Sequence, residues 1–276
     1  MHLHHGPIDL ILDAEGAGRA AALAAARARF ATVLAELVPE LPALRRQVAA
    51  APPLQGAIAR RMQAATRPFL PGFVTPMAAV AGAVADTVLA AMCAAGPLRR
   101  AYVNNGGDVA LHLGPGESFT AAMADDGSGA APGRLRITAA DPVRGVASSG
   151  RGGRSLSLGI ADRVTVLAAD AASADAAATL IANAVDLPGH PAIARQPACR
   201  DHPDSDLGAR RVTTGLGPLS AAEVARALAR GLDFAETCRA RGLIAAACLS
   251  LRGQAVVCGS GFDPLPTPPT KEPADA

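Results

Sequence analysis

Two glycine-punctuated blocks constrain this chain more than any other feature. One is Asn104-Asn105-Gly106-Gly107-Asp108. The other begins at Val146-Ala147-Ser148-Ser149-Gly150 and ends at Ala174-Asp175-Ala176-Ala177-Ala178-Thr179. Most of the rest is alanine, valine and leucine, which many folds can use. The blocks put glycine, small hydroxyls and carboxylates where a strand ends or a helix begins. Backbone amides and side-chain oxygens can gather at such points around a phosphate or a hard metal ion.

The apolar pattern around the blocks predicts a mixed chain. A strand is read at 7–13 and helices at 17–37, 54–66 and 77–95, the last opened by Thr75-Pro76. Strands follow at 101–104, 109–113, 119–123, 135–138 and 164–168, separated by Gly and Asp-Gly turns. Ser173 reads as the cap of a helix over 174–185. A Pro- and Asp-rich loop covers 188–206, and a short strand lies near Val212. Ser220 with Glu223 makes a capping box for a further helix. Residues 243–251 and 254–257 pair as a hairpin around Arg252-Gly253. Residues 1–260 read as one domain, and 261–276 as a disordered Pro-rich tail. Strands and helices in mixed order give the class α+β.

Composition excludes several functions. Half of the 276 residues are hydrophobic and 18% are charged, which suits a buried core. Aromatic content of 3% and a net charge of +2 argue against nucleic acid as a partner. Lys271, in the tail, is the only lysine, so neither Schiff-base chemistry nor a phosphate-loop lysine is available in the body of the chain. Five widely spaced cysteines without a CxxC pair fit a reducing cytoplasm. The apolar stretch 73–96 contains Asp86, Thr75, Thr87 and Pro76, so it reads as a buried helix and not as a membrane span. Its alanine-rich surface would suit a homodimer contact as well as a core.

The chemistry-bearing residues each have a bland reading beside the functional one. Asp175 and Thr179, four apart on a helix, share a face and suit Mg²⁺; the bland alternative is an acid complementing the helix dipole. Asn104 to Asp108 is either a ligand-contacting turn or an ordinary hairpin. Ser148 to Ser155, with Arg151 and Arg154, suits an anion cradle, or is a solvated loop. Asp86 lies in an apolar helix, where a carboxylate is paired, neutral, bound to a cation or turned to the surface. His2, His4 and His5 could bind metal, or are an exposed terminus. Asp201, His202, Asp204 and Asp206 could line a site, or form a solvated acidic loop, which is the reading preferred here.

Taken in order, these blocks resemble the ApbE-like superfamily, whose best-known members are FAD:protein FMN transferases. The Gly-Tyr-Ala-x-Asp segment of that family is matched by Gly82-Ala83-Val84-Ala85-Asp86, and its Asn-x-Gly-Gly-Asp block by Asn104 to Asp108. Its Thr/Ser-Ser-Gly segment is matched by Ser148-Ser149-Gly150, and its Ala-Asp-x-x-x-Thr by Ala174 to Thr179. The run 150–185 is similar to a cytoplasmic, uncharacterised branch. The resemblance implies T-fold-like duplicated β-sheet halves with packed helices. It also implies Mg²⁺ held by Asp175, Thr179 and the Val80 carbonyl. Asn104, Asn105, Gly106, Gly107, Asp108, Ser148, Ser149, Gly150 and Asp86 would line the site of FAD, whose FMN part would pass to an acceptor hydroxyl such as one on a protein.

This chain departs from that pattern. Ala81 stands where the transferases have a lysine, Ala83 where they have the tyrosine, and no His-x-x-Asp-Pro block follows Gly150. Three readings therefore stay open: an Mg²⁺- and FAD-dependent enzyme, a T-fold-like enzyme on a pterin or purine, and a non-catalytic nucleotide-binding protein.

Overall fold

The computed structural model describes residues 1–50, 52–123, 133–153 and 155–264. Alternation of buried and solvent-facing residues makes the first strands: β1 (His2–His5) pairs antiparallel with β2 (Ile8–Glu15). In β2, Ile8, Leu10, Leu12 and Ala14 face inward. The helices α1 (Arg19–Leu37), the short α2 (Leu41–Leu44), α3 (Ala57–Thr66) and α4 (Val80–Ala94) follow. The last is led in by a 3₁₀ turn at Pro76–Ala79. Strands β3 (Arg100–Asn105), β4 (Asp108–Leu113), β5 (Ser118–Ala122), β6 (Gly133–Thr138), β7 (Gly145–Ser149) and β8 (Arg163–Ala168) precede α5 (Ala171–Ala184). Then come β9 (Ile193–Pro197), β10 (Arg211–Leu216), α6 (Ala221–Ala240), β11 (Ala246–Leu251), β12 (Gln254–Cys258) and β13 (Phe262–Pro264).

The chain is α+β. Among the described residues, the main sheet has eight strands in the order β1-β2-β3-β4-β7-β8-β11-β12, each neighbouring pair antiparallel. Its two halves repeat one plan, with two strands, intervening helices and two strands, side by side in chain order. β4 and β7 join the halves through the pairs Val109↔Val146 and Ala110↔Gly145. The helices cover one face and form the main core with it. A three-stranded sheet, β13-β6-β5, covers part of the other face. There Leu135 and Ile137 pack with Leu111, Leu113, Val146 and Leu167. Strands β9 and β10 form a separate ribbon.

The three histidines at the start are exposed, as expected, on an edge strand where His2 contacts Asp9. Several other expectations are corrected. The cap of α5 is Asp170, whose carboxylate accepts the Ser173 amide at 2.7 Å; the helix starts at Ala171, so Ser173 lies inside its first turn as the donor to that cap. Strand β9 lies in the stretch read as loop, since one partner strand is enough to order five residues. Phe262–Pro264 pairs with β6, inside the span read as tail. Residues 265–276, with Lys271, lie outside the described residues, as do the Asp126-Gly127 turn and Arg154. Other readings hold: the Ser220–Glu223 capping box opens α6, and Arg252 and Gly253, both at positive φ, turn the β11–β12 hairpin.

The segment Pro76–Ala94 is long and apolar enough to cross a membrane by length and composition. Here it packs against α1, α3, α5, β3 and β4, so much of its alanine surface is used inside the chain. α5 is buried almost all round through Ala171, Ala172, Ala174, Ala176, Ala177, Ala178, Ile181 and Ala182. α4 and α5 meet at Gly82, where an added Cβ would stand 2.2 Å from the Ala171 carbonyl oxygen. Alanine at position 82 gains about 1 kcal/mol of helix propensity. The clash is with backbone, however, and forced overpacking costs about 1–3 kcal/mol. Gly82→Ala is therefore expected to lower stability, read as a reduced urea midpoint at unchanged m-value; an unchanged or raised midpoint would refute this contact.

Candidate functional site

The first turns of α4 and α5 are tied to each other by carboxylates. Asp86, on α4, accepts the amides of Ala171 and Ala172 at 3.1 and 3.0 Å. Asp175, on α5, accepts the Gly82 amide at 3.0 Å and is also held by the Ala81 amide. Each helix thus supplies the acid that satisfies orphan amides at the start of the other. Asn105 adds a third tie, donating to the Ala81 carbonyl at 3.1 Å.

The Asn104–Asp108 block closes β3 onto β4 as a two-residue hairpin, with Asn105 opposite Asp108. Gly106 and Gly107, at φ of 65° and 116°, are exposed, and a Cβ on Gly107 would meet nothing within 4 Å. The glycines serve the turn. Asn104 Oδ1 accepts the Gly107 amide at 2.8 Å and fixes it. Asp108 accepts the Ser148 amide at 3.2 Å, joining the hairpin to β7.

Beside these ties opens a cleft of about 630 Å³. Asp108, Ser148, Ser149, Val80, Asp175 and Thr179 all line it, so the structure brings both glycine blocks to one place. Ala81, Leu158, Leu180 and Asn183 add to the floor, and Phe73, Thr75, Met77 and Ala78 form one wall. Residues 201–207, with Asp201, His202, Asp204 and Asp206, also line it, which favours the site-lining reading of that loop over the solvated one. Its approach depends on the β9–β10 ribbon, of which the local pattern announced only β10, near Val212.

Asn104, Asn105, Gly106, Gly107, Gly150 and Asp86 do not line this cleft. Gly150 has φ of 148°, and the Asp162 carbonyl would be 2.5 Å from its Cβ, so it permits a close backbone pass. Ser148 Oγ pairs with Thr165 Oγ1 at 2.9 Å. Arg151, read as part of an anion cradle, is bound to Asp162 at 2.6 Å, because that buried carboxylate needs a cation nearby. Among the described residues, no group of three His, Cys, Asp or Glu side chains converges as a metal cluster.

The electrostatics separate the two acids. Burial pushes Asp86 up to about 6, although the α5 amides and Arg61, 3.7 Å away, favour its charge. Asp175 is raised well above the usual carboxylate range, first by burial and then by the Asp108 carboxylate. An acid so placed holds a proton or attracts a cation. Thr179 Oγ1 stands one turn along the same face, with no hydrogen-bond partner among the described residues.

A sequence model for the family described as AbpE bacteria matches residues 1–257. The chain belongs to that family. It is 40% identical over 116 residues to a UPF0280 protein of Methanothrix thermoacetophila, which is 41% of this chain and 46% of the relative. A UPF0280 protein of Methanopyrus kandleri is 39% identical over 132 residues, 47% of this chain and 51% of the relative. The chain spans about half the length of the curated relatives it matches. Their names state no activity. The tie to the ApbE-like transferases rests on likeness of the family name and on the motifs quoted above.

Asp86 makes stability depend on pH. Its folded value near 6 exceeds the ordinary 3.8, so the folded state holds the proton more tightly. The resulting stability is present below about pH 4 and is lost as pH rises through about 6, a swing of about 2–3 kcal/mol. The unfolding free energy of the native protein minus that of Asp86→Asn is expected to fall by this amount between pH 4 and pH 7. Parallel pH profiles for the two proteins would contradict the burial of this acid.

Proposed function

We propose that the cleft binds FAD through a Mg²⁺ ion held at Asp175 and Thr179, and that the protein transfers the FMN part to an acceptor hydroxyl. The observation that carries this reading is the raised carboxyl of Asp175, opening into the cleft beside Asp108 and Thr179. Two carboxylates and a hydroxyl are hard oxygen donors, and a small set of them suits Mg²⁺, which takes its other oxygens from water and phosphate. The donor set therefore fits the ion. The Val80 carbonyl fits less well: Val80 opens α4, and a helical carbonyl there points along the axis toward the next turn.

The lining supports an obligatory metal. Asp108, Asp175, Asp201, Asp204 and Asp206 face the cleft, and no lysine or arginine lines it among the described residues. A bare pyrophosphate would be repelled. When bound, Mg²⁺ supplies charge neutralisation and polarisation of a phosphoryl oxygen. The chain's own residues orient the rest: Met77, Leu158 and Leu180 offer apolar surface to a ring, and Ser149 and Thr179 offer hydroxyls. A cytoplasmic setting belongs to the same proposal, in keeping with five free cysteines.

The test is a fluorescence titration of FAD into the protein with Mg²⁺ and again with EDTA, on the native chain, Asp175→Asn and Thr179→Val. Binding that needs Mg²⁺ and weakens about tenfold or more in both variants is expected. Because Asp175 also holds the start of α4, unfolding midpoints must show the variants folded. FAD binding that survives EDTA, or no FAD binding at all, refutes the proposal. A pterin bound without metal would then favour direct pairing of ring N–H groups with the Asp175 carboxylate.

A further inference from the structure

We infer that the segment 199–210, between β9 and β10, is a strap closed over the cleft, held shut by two contacts to a single stretch of the cleft wall. The segment is a self-bonded excursion. The Ala198 amide donates to the Arg210 carbonyl and the Cys199 amide to Gly208, both at 2.9 Å. Within it the Ser205 amide donates to His202, Gly208 to Ser205 and Arg210 to Leu207. These bonds give the loop a shape of its own, carried at the end of a two-stranded ribbon that is not part of the main sheet.

Its closed position comes from elsewhere. The hydroxyl of Thr75, a residue only 2% exposed, donates to the Asp206 carboxylate. Arg210 lies over the Phe73 ring, 3.3 Å from the guanidinium carbon to the ring centroid. Both anchors fall in 73–75, which leads through Pro76–Ala79 into the α4 turn whose amides hold Asp175. Residues 201–207 and Asp175 line the same cleft. Closing the strap brings Asp201, His202 and Asp204 over the ligand position. Releasing Thr75 and Phe73 opens a path for a nucleotide-sized molecule while the sheet and α5 stay as they are. The functional part of this inference rests on the cleft being the ligand site.

Hydrogen–deuterium exchange on the full chain tests the strap without a ligand. Thr75→Val keeps the buried shape and removes the donor to Asp206; Arg210→Gln removes the cation over Phe73. Each is expected to speed exchange across 199–210 about tenfold or more, with α5 and β8 unchanged. Unchanged exchange in 199–210 overturns the inference, as does a loss of protection spread over α5 and β8, which would make these residues supports of the whole fold. With FAD and Mg²⁺ as the probe, stopped-flow mixing should show faster association and faster release in both variants. If FAD does not bind the native chain, the assignment of the site to FAD fails, and the exchange result still decides the strap.

Discussion

The exchange of carboxylates between α4 and α5 is the interaction on which the rest of the structure depends. α5 begins in the interior and α4 at the part-buried edge of the cleft, where their first amides need partners from the chain. Asp86 satisfies the start of α5 and Asp175 the start of α4. The arrangement works only at short range, and Gly82 provides that range by letting the Ala171 carbonyl approach where a side chain would stand. Alanine elsewhere on α5 has the same effect more mildly, so the helix is enclosed by α4, α6, β7 and β8 with little side-chain bulk between them. The cost is electrostatic, since burial raises both acids and the Asp86 carboxylate adds to the rise of Asp175.

That cost is also what gives the cleft its chemistry. Asp86 is enclosed, and its charge is answered by helix amides and Arg61. Asp175 uses one side on α4 and turns the other to the cleft, where Asp108 stands in the same field. One carboxylate thus serves both the fold and the site. The hairpin block repeats this economy: Asn104 and the glycines shape the turn, Asn105 holds Ala81, and Asp108 reaches the cleft.

Much of the fold was legible because its signals are local. Alternation in 8–15, the run of helix formers in 19–37, the Ser220–Glu223 box and the Arg252-Gly253 turn each act within a few residues. The errors have local causes too. Ser173 was a plausible cap, yet Asp170 stands three residues earlier with the stronger acceptor. β9 carries Arg195, Gln196 and Pro197, a composition that reads as loop until β10 pairs with it. In the site, the pairing of Asp175 with Thr179 could be read from helical spacing. For the loop 201–207 sequence left both readings open, because an acidic loop looks alike whether it faces bulk water or a cleft.

Sequence alone determined which residues can carry chemistry here: acids and hydroxyls on strand and helix ends, no lysine in the body of the chain, and a core of small aliphatics narrow enough for helices to touch. It also determined that Asp175 and Thr179 share a face, since helix geometry sets that within one turn. Only the tertiary structure decided what those residues meet. Asp175 and Gly82 are 93 positions apart, and Thr75 and Asp206 are 131 apart. No periodicity encodes such meetings. They arise when the two halves join at β4 and β7 and the whole chain buries its apolar faces at once, which turns a dipole-compensating acid into the floor of a cleft.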